Sequence, residues 1–177
     1  EGLPLIKRKI EIVTAKDSLA NKDAGNIGKV KIYAWRGPDY VENVKNDIAG
    51  VGWILSENWW PYQRYSFVTP PFSGYVSGHS CFSFAGAEVL TQITGDRFFP
   101  GGLAEFTAKK NEFLLFEEGP SEDVTLQWAT YYDAANETAL SRIWGGIHPP
   151  CDDLEGRKIG IKVGRRAVEK AASLFNN

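Results

Sequence analysis

With 177 residues, 43% of them hydrophobic and 24% charged, the chain has the length and composition of an ordinary globular domain with a substantial core. Its 20 basic and 22 acidic residues leave a formal charge of −2, so no global field points to nucleic acid or to an anionic membrane surface. No apolar run reaches the roughly 18–20 residues of a membrane span, and no basic-then-apolar signal segment stands at the front.

A chain that opens on Glu1 and holds no Met is expected to continue upstream. Residues 1–52 carry short alternating stretches such as Lys29 to Trp35 (KVKIYAW), broken by Arg36-Gly37-Pro38-Asp39. They read as an irregular region of loops with one or two short strands, the continuation of that upstream segment. Residues 53–177 read as a helical region, and the two parts belong to one domain. Within it, residues 53–60 (WILSENWW) suggest a short helix stopped by Pro61. Thr69-Pro70-Pro71-Phe72 is expected to be extended, because proline disfavours helix in the residue before it.

The helical signal strengthens at Ser77. Phe82, Ala85, Gly86, Val89, Leu90 and Ile93 recur at helical spacing, and Gly95 stands where a C-terminal stop belongs. A second helix is predicted from Ser121, a good N-cap followed by Glu122 and Asp123, through Trp128 and Tyr132 toward Leu140. The third runs from about Asp153 to Phe175, with Gly156, Gly160 and Gly164 four residues apart and Ala167 and Ala171 nearby. Each interior glycine costs about 1 kcal/mol against alanine. Three on one stripe predict a close backbone approach to a neighbouring helix. An all-α helical bundle with an irregular N-terminal stretch is the expected fold.

Only two histidines occur, each inside a dense cluster. The first cluster is Ser77-Gly78-His79, at a predicted helix start. The second is Ser141-Arg142-x5-His148-x3-Asp152, bracketed by Gly145-Gly146 and Pro149-Pro150. These pieces suit an oxyanion. A helix start offers unpaired N–H groups and a positive dipole end, so Ser77 and Gly78 can donate to anion oxygens. Arg142 adds a permanent, fork-shaped cation. His148 can attack or coordinate a central atom through one ring nitrogen while Asp152 holds the other N–H. His79 is then free for acid–base work. The blander alternative makes Ser77 a cap, Arg142 an ion-pair partner and Asp152 or Asp153 the cap of the last helix.

The stretch TPPFSGYVSGHSCFSFAGAEVL (69–90) resembles the P-S-G-H signature of vanadium haloperoxidases and type-2 phosphatidic acid phosphatases. SRIWGGIHPPCDD (141–153) resembles the S-R-x5-H-x3-D signature of the same superfamily. The resemblance implies a helical bundle in which Ser77, Gly78, Arg142 and His148 hold vanadate, or phosphate as its isostere. It makes His148 the vanadium ligand of a haloperoxidase acting on hydrogen peroxide and halide. In a phosphatase acting on a phosphoester, His148 is instead the nucleophile that forms a phosphohistidine. His79 is the acid–base residue in either case, and Asp152 supports His148. A non-catalytic anion-binding fragment is the third reading.

Two departures from the pattern stand out. Val76 replaces the proline before Ser-Gly-His. The superfamily's earlier signature, Lys-x6-Arg-Pro, has no counterpart here: seven residues before Arg64 stands Glu57, and Tyr65 follows it. The missing Lys and Arg are therefore expected from an upstream segment or a second chain. No nucleic acid and no membrane span are expected. Cys81 and Cys151 follow the two histidines closely, as reduced buried thiols or, alternatively, as a disulfide. No CxxC or Cys/His metal spacing is present, so the cysteines leave the compartment open.

Overall fold

The computed structural model describes residues 4–68 and 70–175, so Thr69 of the expected extended run lies outside the described residues. The chain divides into two compact units: residues up to Phe67 together with Lys110–Glu122, and Val68–Lys109 together with Asp123 onward.

The first unit corrects the all-α expectation. Strands β1 (Ile10–Ile12), β2 (Val30–Trp35) and β3 (Val51–Leu55) form an antiparallel sheet in the order β1-β2-β3. The short helix α1 (Ser18–Lys22) lies between β1 and β2 in the chain. The expected helix at 53–60 is instead the end of β3, with Trp53 opposite Tyr33 and Ile54 opposite Ile32, followed by one 3-10 turn at Ser56–Asn58. Aromatic and β-branched residues fit a half-buried pleated surface better than a lone helical turn. Val13, Ala20 and Leu55 form a small core. Buried Lys31 is satisfied by Asp17 and Glu11 and lies over the Trp53 ring. The Lys31 ammonium and hydrogen bonds from Thr14 hold the Asp17 carboxyl down at about 2. Glu117 is also buried, and accepts hydrogen bonds from Trp35, Ala49 and Tyr62 at 3.1, 3.0 and 2.7 Å.

The second unit holds the helices that matter for the site, α2 (Gly78–Thr94), α3 (Tyr131–Trp144) and α4 (Pro150–Phe175), with the ribbon β4 (Ala104–Ala108) and β5 (Val124–Trp128). Helix α2 runs as the sequence predicts, with Ser77 as N-cap and Gly95 closing it at φ 72°. The second predicted helix starts late. Residues 124–128 pair with 108–104 instead, and the helix opens at Thr130, which forms a capping box with Asp133. Helix α4 starts three residues before the predicted Asp153.

Helices α2 and α4 meet backbone to backbone. A Cβ placed at Gly156, Gly160 or Gly164 would stand 2.9, 2.3 or 2.7 Å from the carbonyl oxygen of Ser77, Cys81 or Ala85. The glycine stripe is the close approach expected from its spacing. Two polar networks flank it. At one end Asp153 joins Ser80, Arg157 and, through Arg157, Asn136. At the other end Glu88 accepts from Tyr132, Gln92 and Arg165. Burial and the hydrogen bond to Glu88 push the Tyr132 hydroxyl up to about 12. Phe84, Ala87, Tyr131, Ala135 and Ala139 form the apolar core. No helix among the described residues is long and apolar enough to cross a membrane.

Candidate functional site

Three helix ends converge at one end of the second unit. The seam matches Ser77, Cys81 and Ala85 with Gly156, Gly160 and Gly164, ascending in both helices, so α2 and α4 run in the same direction and start together. Helix α3 runs the other way. Its Tyr132 meets Glu88 far along α2, whereas Asn136 meets Arg157 nearer the start of α4. Its last turn, which carries Arg142, therefore comes to the two helix starts.

Ser77 is fully buried, and its N–H donates to the carbonyl of Asp152 at 3.0 Å, tying the two helix starts together. Its hydroxyl oxygen accepts the Ser80 N–H at 3.4 Å, which leaves the hydroxyl proton to donate elsewhere. Around Gly78, nothing stands within 4 Å of where a Cβ would project, so the first turn of α2 is open on that side. First-turn N–H groups have no helical acceptor and face the positive end of the dipole.

Beyond Arg142 the chain reverses through Gly145 and Gly146, the latter at φ 70°. The Arg142 carbonyl accepts the N–H groups of Ile147 and His148 at 2.9 and 3.3 Å, which fixes the histidine to the end of α3. The His148 ring then meets α4: Nδ1 lies 3.0 Å from Oδ2 of buried Asp152. With Asp152 as the acceptor Nδ1 donates, which leaves Nε2 as the ring nitrogen that Asp152 does not engage.

Arg142 Nε is buried and has no protein partner. Burial pulls the guanidinium below its ordinary range. A buried donor without an acceptor is rare, and its natural complement is an anion. Desolvation holds His79 below the ordinary imidazole range, and the charges of Arg142 and His148 add to the effect. Their charges act on His79, which sets its ring in the same electrostatic neighbourhood. Among the described residues no group of three or more His, Cys, Asp or Glu side chains could hold a bare metal ion. The donors present are those an oxyanion takes: a guanidinium, a hydroxyl, helix-start N–H groups and one imidazole nitrogen. They fit vanadate or phosphate.

Asp153 stands in the first turn of the last helix, with its carboxylate engaged by Ser80 and Arg157. It lies inside α4, is 2% exposed, and accepts from Ser80 Oγ at 2.7 Å and Arg157 Nε at 2.8 Å. Desolvation would raise its carboxyl, but the bonds from Arg157 and Ser80 outweigh that and hold it below the usual range. Sequence reasoning missed Ser80, Arg157 and Asn136. The Asp153–Arg157 spacing of four was the available signal. Both cysteines are free, Cys81 half-buried and Cys151 exposed, so the expectation of two buried thiols fails at Cys151. The Cys151 thiol donates to Asp152 Oδ1 at 3.6 Å.

Residues 25–177 match the family described as the VCPO second helical-bundle domain. Among solved structures, a holo-type bacterial vanadium-dependent chloroperoxidase shares 21% identity at a TM-score of 0.64, over 78% of this chain and 26% of that one. The apo-type enzyme shares 21% identity at 0.64, over 78% and 27%. A protein described as the first bacterial vanadium-dependent iodoperoxidase shares 32% identity over 64% of this chain and 24% of that one, at a TM-score of 0.45. None of the curated proteins matches. The chain spans about a quarter of the length of these solved relatives. A likeness at 21% identity is one of fold, but the family match covers most of the chain. The chain belongs to the vanadium haloperoxidase superfamily, as a second helical-bundle domain.

Proposed function

We propose that the site binds vanadate and serves the oxidation of halide by hydrogen peroxide. One observation carries the reading: a buried, unpartnered guanidinium nitrogen on Arg142, in the same turn of chain as a histidine whose Nδ1 is already engaged by Asp152. Bound vanadate supplies a high-valent Lewis-acidic centre that activates peroxide toward halide. The chain does the rest. Arg142, the Ser77 hydroxyl and the N–H of Gly78 balance charge on the anion's oxygens. His148 would offer Nε2 to the central atom, with Asp152 holding its ring in place through Nδ1. Forming hypohalous acid and water from halide and peroxide consumes one proton, and its transfer is assigned to His79.

Orthovanadate carries up to three negative charges, and the described site offers one arginine among its donors. A site of low dielectric needs those charges matched. Further Lys and Arg, from residues preceding Glu1 or from a partner chain, complete the proposal. Titrating the 177-residue chain with orthovanadate by calorimetry, alone and then with the preceding segment joined to it, tests this. Affinity should rise sharply with the segment. Tight binding and turnover by the 177 residues alone would contradict the charge argument. The same armed His148 would suit phosphoester hydrolysis through a phosphohistidine. Halide oxidation with peroxide and vanadate is therefore assayed beside phosphoester hydrolysis without vanadate. Hydrolysis alone would replace the haloperoxidase reading.

A further inference from the structure

We propose that the Ser80–Asp153–Arg157 cluster is the clasp that sets the distance between the His79 helix start and the His148–Asp152 pair, which makes Ser80 and Asp153 positioning residues of the anion site. The proposal rests on the anion-site reading above.

The placement of the clasp carries the argument. Ser80 follows His79 directly, and Asp153 follows Asp152 directly. Their side chains meet at 2.7 Å, and both residues are shut off from solvent, at 0% and 2% exposure. One turn earlier on α2, the Ser77 N–H reaches the Asp152 carbonyl at 3.0 Å. His79 and Asp152 therefore sit between two ties, one of main chain and one of side chain. Arg157 closes the far side of Asp153 with bonds of 2.8 Å to each carboxylate oxygen. It also donates to Asn136 on α3 at 2.5 Å, six residues before Arg142 on the same helix. The clasp thus touches all three helices that deliver groups to the site, and the carboxylate of Asp153 is taken up by Ser80 and Arg157.

A buried ion pair is weak grounds for stability, because desolvation offsets most of its attraction; its better-attested use is to select one arrangement of the parts. Here the parts are two helix starts whose neighbouring residues must converge on one small ion. A shift of about 1 Å at such a centre is enough to impair it strongly. Ser80 and Asp153 would act only through their neighbours, by holding the backbone that carries them.

The test uses the full-length protein, with orthovanadate as probe in calorimetric titration and with the imidazole signals of His79 and His148 read by two-dimensional NMR. Wild type against His148→Ala checks the anion reading separately: equal titrations would sink that reading, and the ring signals would then decide the clasp on their own. For Ser80→Ala we expect the vanadate dissociation constant to rise about tenfold. Both imidazole signals should move, although neither ring nor any anion donor has been altered. Vanadate affinity within twofold of wild type, with both ring signals in place, would overturn the proposal however far the melting temperature fell. If Ser80→Ala fails to fold, Asn136→Ala takes its place at the exposed end of the clasp. It should weaken vanadate about threefold with the same movement of the rings, and unmoved rings would overturn the proposal equally.

Discussion

Replacing Gly160 with alanine puts the α2–α4 seam to a quantitative test. The new Cβ would stand 2.3 Å from the carbonyl oxygen of Cys81, with the Ala85 nitrogen at 3.1 Å. A carbon–oxygen contact settles at roughly 3.3–3.6 Å, so the helices must part by about 1 Å locally. The obstacle is main chain, which has no rotamer to swing aside. Overpacking of this kind costs about 1–3 kcal/mol, and the rigidity of the obstacle places Gly160→Ala at or above the top of that range. Alanine returns about 1 kcal/mol of helix propensity, which leaves a net loss of roughly 2 kcal/mol, or about thirtyfold in the folded-to-unfolded ratio. Gly86 is the matched control. It lies in the middle of α2, and nothing stands within 4 Å of its Cβ position. Gly86→Ala should gain up to about 1 kcal/mol from the same propensity term. With a urea slope of about 2 kcal/mol per molar, the midpoints should move by about −1 M and +0.5 M. A neutral or stabilising Gly160→Ala would refute the backbone contact. A Gly86→Ala loss as large as that of Gly160→Ala would refute the contrast.

Acid should loosen the same pair of helices. Burial opposes ionisation of Glu88 and Asp153, but hydrogen bonds from Tyr132, Arg165 and Gln92 to the first, and from Arg157 and Ser80 to the second, leave both carboxyls below their ordinary range. Their stabilisation is complete above the unfolded value near 4 and is lost as pH falls below it. Urea midpoints should hold between pH 7 and 5 and drop by pH 3, and Glu88→Gln should flatten that drop; a wild-type midpoint that stays put to pH 3 would contradict this. Asp152→Ala should weaken orthovanadate binding by about 10–100-fold by freeing His148 Nδ1; unchanged affinity in calorimetry would remove Asp152 from the site. Thiol titration of denatured, unreduced protein should count two free thiols, with Cys151 also reacting in the native state; a count of none with monomeric mass would require the bridge.

Each half of the candidate site was legible because it is written in local spacing. Ser77-Gly78 is read as a helix start from its cap, and the short step from His148, just ahead of α4, to Asp152 in its first turn brings a carboxylate to the ring. The glycine stripe was equally legible, since three interior glycines four residues apart have few uses besides close approach. The onset of α3 was not. The run Val124–Trp128 follows a helix-like opening at Ser121, yet its ribbon partner Ala104–Ala108 lies across a reversal of the chain, and strand pairing is not local. Thr130 with Asp133 three residues on was the better start signal. The sheet of the first unit was understated for the same reason. The Asp17 partner of Lys31, the partners of Glu117 and the link from Asp153 to Ser80 lie 14 or more residues away in the chain, where periodicity has no reach.

Both sides of the glycine seam repeat every four residues: Ser77, Cys81 and Ala85 on one helix, Gly156, Gly160 and Gly164 on the other. Such a contact is nearly degenerate to a slide of one helical turn, about 5.4 Å, because each smooth step looks like the next. Alone it could not tell one registry from its neighbour, and a slipped bundle would carry His79 a full turn past Asp152. The side chains that break the degeneracy stand at its two ends. Ser80 finds Asp153, and Glu88 finds Arg165, only when the helices stand in the native step. A slipped chain would take the Ser80 donor from Asp153 and the Arg165 donor from Glu88, both of them buried carboxylates. The polar ends work as keys to a lock whose bare middle would turn for any of them.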